Sequence, residues 1–501
     1  MQSQSDHNSA IPWQNTYAVL PQRFFSHEIP EICPKPEMIC WNKELAEFLN
    51  LSDACFENGS KIEIFGGQKV SSGSIPLAQA YAGHQFGHFV PQLGDGRTIL
   101  LGELRAQDAK LYDVQLKGAG QTAFSRRGDG KSALGPVLRE YLVSEFMHRV
   151  GVPSTRALCA VLTGEKVQRA ELVPSAVMAR IAGSHLRVGT FQYFSAKGDV
   201  EALEILLNYA VNRHAPQLLG SKNLPLEFLK WLVAKQAELI AHWMSLGFVH
   251  GVMNTDNFSI AGITLDFGPC AFLDEYKRLK VFSSIDRTGR YAYANQAPIA
   301  QWNLWQFALA LQPLVEKFSG NFEEEVAAVL ESFQIQYTGH YHVKMLAKIG
   351  IRTASPSTVG LLAQWLEFLE REQLDFSQSH RDLSKELLDL PSQLSHISAF
   401  QVFKKELIDE LLKNDSLESF PSKSSQFLQG IALQMNQINP CIIPRNHNIE
   451  AVIEEANHGD FSPFQDLAKA LKEPFTEGQM QEAWAQAPSV EQRVLKTFCG
   501  T

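Results

Sequence analysis

The chain has no Cys-x-x-Cys pair: its seven cysteines stand apart at positions 33, 40, 55, 159, 270, 441 and 499. That spacing excludes a zinc ribbon and a dense disulfide framework, and makes most of these thiols small buried apolar groups. It also lacks eighteen uninterrupted apolar residues anywhere; even the apolar run at 224–248 is broken by Lys230, Lys235, Glu238 and His242. A membrane span is therefore not expected. The opening MQSQSDHNSAIPWQ has neither an apolar core nor a basic amphipathic pattern. No signal or transit peptide is expected, and the default location is cytoplasmic. Basic residues are the minority, with 45 Lys and Arg against 54 Asp and Glu and a formal charge of −9. With no global basic field to gather phosphate backbones, nucleic acid is not an expected partner.

What is present is a chain of 501 residues, too long for one ordinary core, so two or three packed lobes are expected. Residues 1–75 read as a mixed N-terminal segment broken by Pro30, Pro34 and Pro36. Thr98–Leu104, Tyr112–Leu116, Ala157–Leu162 and Ser175–Ile181 read as strands. Ser132–Val150 reads as a helix, because Leu134, Leu138, Leu142, Phe146 and Val150 recur every four residues before Gly151 and Pro153. Leu224–Leu246 reads as a long amphipathic helix ending at Gly247. From about residue 300 the pattern is almost wholly helical, with a Pro/Ser-rich break at Phe420–Ser425.

The densest chemistry follows the long helix. His250-Gly-Val-Met-Asn-Thr-Asp-Asn257 precedes Asp266-Phe-Gly268. This order resembles the H-R-D-x-x-x-x-N loop and D-F-G of protein kinases. Asn257 and Asp266 fall where kinases hold magnesium. The position of the kinase base is Val252, which can neither accept a proton nor orient a hydroxyl. Upstream, Asp113-Val-Gln-Leu-Lys117 resembles the kinase strand whose Lys meets ATP phosphates, and Glu140 or Glu145 on the next helix could pair with it.

The segment from Gly118 to Ser132 ends in Gly130-Lys131-Ser132, as a Walker A loop does, but Ser125 stands where the leading Gly belongs. Glycines that let backbone N–H groups approach phosphate explain it equally well. Leu93-Gly-Asp-Gly-Arg97 could share that role. Arg180 and Arg187 are either phosphate clamps or exposed surface arginines. His84 and His88 have the i, i+4 spacing of metal ligands, but without a Glu and with two nearby glycines a structural loop is expected instead.

Three blocks, YAGHQFGHFVPQLGDGR, DVQLKGAGQTAFSRRGDGKSALGPVLREYL and HGVMNTDNFSIAGITLDFGP, resemble the selenoprotein O family across about residues 75–275. The resemblance implies an α+β, kinase-like two-lobed fold with a helical C-terminal extension. Its parts would be an N-lobe at 76–200, a C-lobe at 201–310 and a helical region at 311–501. It implies an adenylyltransferase that moves AMP from ATP, bound in flipped orientation, to Ser, Thr or Tyr hydroxyls of proteins, itself included. UMP transfer from UTP with Mn²⁺ is also implied for bacterial members. Carried over, the base falls on Asp256 and the Mg²⁺ or Mn²⁺ ligands on Asn257 and Asp266. Nucleotide contacts fall on Gly94, Gly96, Arg97, Lys117, Asp129, Gly130, Arg180 and Arg187, with Lys117 paired to Glu140. The family's redox disulfide would join Cys270 to Cys499. Two rival readings are a γ-phosphate kinase and a non-catalytic nucleotide-binding scaffold.

Overall fold

The computed structural model describes residues 10–56, 60–413 and 421–498. The fold is mixed α and β. Its strands are β1 (Phe25–His27), β2 (Glu37–Trp41), β3 (Leu77–Gln79), β4 (Gly83–Gln85), β5 (His88–Val90), β6 (Thr98–Arg105), β7 (Leu111–Lys117), β8 (Arg156–Gln168), β9 (Leu172–Ala182), β10 (Phe248–Val249) and β11 (Ala271–Phe272). Seven of them form one sheet in the order β1-β3-β6-β7-β9-β8-β2, every neighbouring pair antiparallel. The N-terminal segment therefore does more than lead in, because it supplies both edge strands.

Strand periodicity explains how this sheet serves two purposes. Side chains alternate between faces. Val114 and Leu116 of β7 join Val177, Ala179 and Ile181 of β9 in an apolar layer under α1 (Lys43–Phe48) and α2 (Lys61–Phe65). Gln115 and Lys117 take the opposite face, and Gln115 is directly paired with Arg180 on β9. Across that face lies α3 (Leu134–Arg149), whose Leu138, Leu142 and Phe146 belong to the main core. Gly151, with φ 78, closes this helix.

Next come α4 (Val188–Ser195), α5 (Val200–His214) and α6 (Leu224–Ser245). The Asn223 side chain caps α6 by accepting from the Leu226 N–H at 3.4 Å. Past Gly247 the chain enters β10, whose Phe248 and Val249 pair with Phe272 and Ala271 of β11. This short ladder pins the base of the 250–270 loop, so the His250 and Asp266 motifs are held together. From Gln296 to Ala485 the described residues are mostly helical, as expected. This part comprises α7 (Gln296–Val315), α8 (Phe322–Lys348), α9 (Pro356–Arg371), α10 (Phe376–Leu387), α11 (Ser398–Lys413), α12 (Pro421–Ile438), α13 (Asn446–Asn457), α14 (Ser462–Ala470) and α15 (Gln479–Ala485). The expected Pro/Ser break is narrower than the sequence suggests, since Pro421 already opens α12; residues 414–420 lie outside the described residues.

Candidate active site

A cavity of about 860 Å³ lies between the polar face of the sheet and the 250–270 loop. Its lining holds eight Lys or Arg side chains and four Asp side chains, so in a chain of net charge −9 the cavity is a basic island suited to a polyanion.

Lys117 is the hub. Its Nζ lies 2.5 Å from Glu140 Oε2 and 2.5 Å from Asp266 Oδ1, and the Lys117 side chain is almost wholly buried. Of the two glutamates expected as partners, Glu140 is selected; Glu145 instead binds Arg156 through Oε1 at 2.8 Å and Oε2 at 2.7 Å. Arg180 donates to Gln115 Oε1 at 2.6 Å and to Glu140 Oε1 at 3.3 Å, and stands 3.7 Å from Asp266. Burial raises the Asp266 pKa, but the Lys117 and Arg180 charges outweigh it and hold the carboxyl well below its usual range. Asp266 also adopts φ 70, a left-handed conformation that costs of order 1 kcal/mol and needs such surroundings to persist.

Asp256 occupies the opposite wall. The hairpin β4–β5 turns through Phe86 and Gly87, both at positive φ, as a tight hairpin requires. It is tied to the loop by His84 N–H donating to Thr255 Oγ1 at 2.6 Å and Phe86 N–H donating to Asn254 Oδ1 at 3.0 Å. Gln85 Nε2 reaches Asp256 Oδ2 at 3.3 Å, while Asp256 Oδ1 is buried without a hydrogen-bond partner. Burial pushes the Asp256 carboxyl up to about 6. A carboxyl near 6 is close to neutrality, where a general base works best. The His84 ring is engaged at Nδ1, 2.9 Å from Gln192 Nε2. His250 is structural. It is buried, accepts the Val252 N–H at Nδ1, and places Nε2 3.2 Å from the Leu265 carbonyl.

The glycines shape the floor. Gly94, at φ 76, lies so near the Phe124 ring that a β-carbon there would stand 2.2 Å from it. Gly130 meets the Gly120 carbonyl carbon at 2.1 Å by the same measure, since residues 119 and 131 bridge and fold the loop back on itself. The Walker A reading is thereby replaced. Lys131 is paired to Glu165 at 2.7 Å, and the segment is a folded glycine loop on the cavity floor. Arg180 and Arg187 are 4% exposed each, so the surface-arginine reading is also replaced. Arg187 stacks 4.1 Å over Tyr81 and lies 3.6 Å from Asp95. Gly96, Arg97 and Asp129 line the same cavity, with Asp129 held by Arg169 at 2.8 Å on the rim.

Asn257 and Asp266 fit a hard divalent ion. Asn257 Nδ2 donates to the Val252 carbonyl at 3.2 Å, which leaves its amide oxygen as the ligating atom. Asp266 Oδ2 carries no hydrogen bond among the described residues. No group of three or more His, Cys, Asp or Glu converges among the described residues. Two oxygens suit an ion such as Mg²⁺, which usually takes its other ligands from phosphates and water. Arg187 Nη2, Arg180 Nε and Asp256 Oδ1 are all buried without a hydrogen-bond partner around this cavity, and such orphans mark a site whose partners arrive with a ligand.

Sequence reasoning missed Asp95, Gln85, Phe124 and the rim cations Arg126, Arg127 and Arg169. Asp95 lay in the quoted Gly-Asp-Gly run, but only the fold shows it bracing Gln115 and Arg187. Cys270 is buried, and burial pushes its thiol up to about 12; Cys499 lies outside the described residues.

The family described as Protein adenylyltransferase SelO matches residues 8–472 of this chain. A relative from Rhodopseudomonas palustris (strain HaA2), named Protein nucleotidyltransferase YdiU, is 44% identical over 496 residues, covering 98% of this chain and 99% of its own. The Rhizobium etli relative of the same name is 44% identical over 495 residues, with 98% of each chain covered. On the breadth of these matches, the chain belongs to the protein adenylyltransferase SelO family.

Proposed function

We propose that this protein transfers AMP from ATP to Ser, Thr or Tyr hydroxyls of proteins, its own included, and releases pyrophosphate. The observation that carries this reading is Asp256: a buried carboxyl in the polyanion cavity, opposite the Lys117–Glu140–Asp266 cluster, where Val252 has removed the kinase base. The names of the relatives speak for nucleotidyl transfer to protein as well. We read the sheet region at 76–200 and the helical region at 201–310 as kinase-like lobes, with 311–501 as an extension.

In the reaction, Asp256 takes the proton of the incoming hydroxyl as its oxygen attacks the α-phosphorus. Lys117, Arg180, Arg187 and Arg97 hold the phosphate oxygens, so charge moving onto pyrophosphate meets fixed cations rather than water. Asn257 and Asp266 would hold Mg²⁺ or Mn²⁺, which when bound neutralises phosphate charge. Glu140 holds the Lys117 ammonium in place. UTP with Mn²⁺ is a second donor pair in this reading.

Redox control through Cys270 and Cys499 belongs to the same reading. It is supported by the docking of the tail at Thr497, whose Oγ1 donates to the Pro269 carbonyl at 2.6 Å and whose N–H donates to the Phe282 carbonyl at 2.8 Å. The experiment for the function is Asp256→Ala with reduced protein, metal and ATP. Nucleotide affinity should stay close to wild type while transfer disappears; transfer that survives this change refutes the role of Asp256.

A further inference from the structure

One helix of the C-terminal region reaches both elements that supply the partners of Lys117. It is α13, which packs on α3, the carrier of Glu140, and whose N-terminus meets the segment that follows Asp266.

The contact with α3 runs through Arg139, the neighbour of Glu140. Arg139 is 6% exposed; its Nη1 donates to Asn446 Oδ1 at 3.0 Å and its Nη2 is paired with Glu450, both on α13. One turn earlier, Gly135 lets the two helices close up, because a β-carbon there would stand 3.0 Å from Ile453 Cγ2. Successive side chains leave a helix about 100° apart. Arg139 is thereby turned to α13 while Glu140 is turned to Lys117 and Arg180.

The contact with the other element runs through Arg445, the residue before Asn446. It is 2% exposed, and its Nη1 lies 2.7 Å from both Asp274 Oδ1 and Asp375 Oδ2. Its Nε donates to the Ala485 carbonyl at 3.1 Å. Asp274 follows Leu273, whose N–H donates to the Gly247 carbonyl at 2.8 Å, so Asp274 is tied to the base of the 250–270 loop. Arg445 holds the N-cap position of α13 without making a capping hydrogen bond. The helix dipole disfavours a cation there, so the position does nothing for the helix itself. The two carboxylates, both from other elements, account for it.

We propose that Arg139 and Arg445 are positioning residues of the nucleotide site: through α13 they hold α3 and the segment after Asp266 at the spacing at which Lys117 meets Glu140 and Asp266 together. The inference rests on nucleotide binding in the large cavity, as proposed above. Both Lys117 contacts are charge-assisted bonds at 2.5 Å, which a small displacement of α3 breaks. Lys117 is then left to Asp266 alone and no longer stands where phosphate oxygens can share it. Protein kinases control the equivalent Lys–Glu pair by moving the helix that bears the Glu. Here the strut that sets the helix belongs to the chain itself.

The test is calorimetric titration of a non-hydrolysable ATP analogue with Mg²⁺ into the full-length protein. Arg139→Met should bind at least fivefold more weakly than wild type, and Arg139→Lys should recover part of the loss. Glu140→Gln also weakens binding, and adding Arg139→Met to it should cost no further affinity, because both changes act on one contact. Losses that multiply would make Arg139 a merely structural residue and overturn the proposal. Glu450→Gln and Asp274→Asn probe the two arms from their more exposed sides and should each weaken binding at least twofold; they decide the matter if Arg139→Met does not fold. Variants that bind as well as wild type refute this inference alone, whereas wild type that binds no analogue refutes the nucleotide site and this inference with it.

Discussion

A β-carbon on Gly83 would stand 2.6 Å from an Asp256 carboxyl oxygen and 2.9 Å from the Asp256 Cβ. The hairpin thus makes room for Asp256, the base of the proposed reaction, only because position 83 has no side chain. Gly83→Ala should fold, because the clash falls on Asp256 alone; its carboxyl can rotate away, while its Cβ cannot, so the hairpin must also shift slightly. That rotation takes the carboxyl off its line to the acceptor, and a displacement of about 1 Å costs on the order of a hundredfold in rate. The transfer rate should fall by at least tenfold with nucleotide affinity nearly unchanged. Equal losses in both would place the damage in the nucleotide pocket instead.

Asp256 also sets the pH dependence. With its carboxyl at about 6, transfer at saturating nucleotide should climb between pH 5 and 7 and then level off. The sign for stability is the reverse. A raised carboxyl favours folding while protonated, and that advantage is lost as pH rises through the folded value. Each tenfold change in proton affinity on folding is worth about 1.4 kcal/mol. Asp256→Asn should therefore be inactive yet more stable than wild type by about 3 kcal/mol at pH 8, with the gap closing below pH 4. Denaturant melts at the two pH values check this.

Much of this site was legible before the fold. The expected strands around Val114, Leu116 and Ala179 fall on the right elements, because period-two alternation of apolar and polar residues is a local property. Lys117, Asn257 and Asp266 were legible through their order and spacing along the chain. Asp95 and Gln85 were not, since their importance lies in contacts with Arg187 and Asp256 far away in sequence. The glycine loop was ambiguous for the same reason. Its Gly130 is explained by the backbone of Gly120 pressing on it, a contact no local pattern encodes.

Lys117 joins two carboxylates, so its removal leaves Glu140 buried with only Arg180 nearby. Breaking a buried pair from one side costs about 3–5 kcal/mol. Lys117→Met should lose stability of that order and more than tenfold in nucleotide affinity. Asp266, held low by the same lysine, contributes stability above its ordinary value of 3.8 and loses it only on further acidification. The deficit of Lys117→Met should accordingly be largest near pH 7 and shrink toward pH 3. The double change Lys117→Met with Glu140→Leu should recover part of the stability but none of the affinity.

Redox control makes a separate claim. Oxidised protein should transfer more slowly than reduced protein, and Cys499→Ser should make the two rates equal. Cys270→Ser should do the same. Equal rates in oxidised and reduced wild type would rule the disulfide out as a control on transfer.

The most direct measurement of the central claim gives reduced protein either α-³²P-ATP or γ-³²P-ATP with Mg²⁺ or Mn²⁺, and weighs the intact self-modified chain. Label should be retained from the α-position alone, with a mass gain of one AMP that is absent in Asp256→Ala. Label retained from the γ-position, with a mass gain of one phosphate, would contradict nucleotidyl transfer and return the site to kinase chemistry.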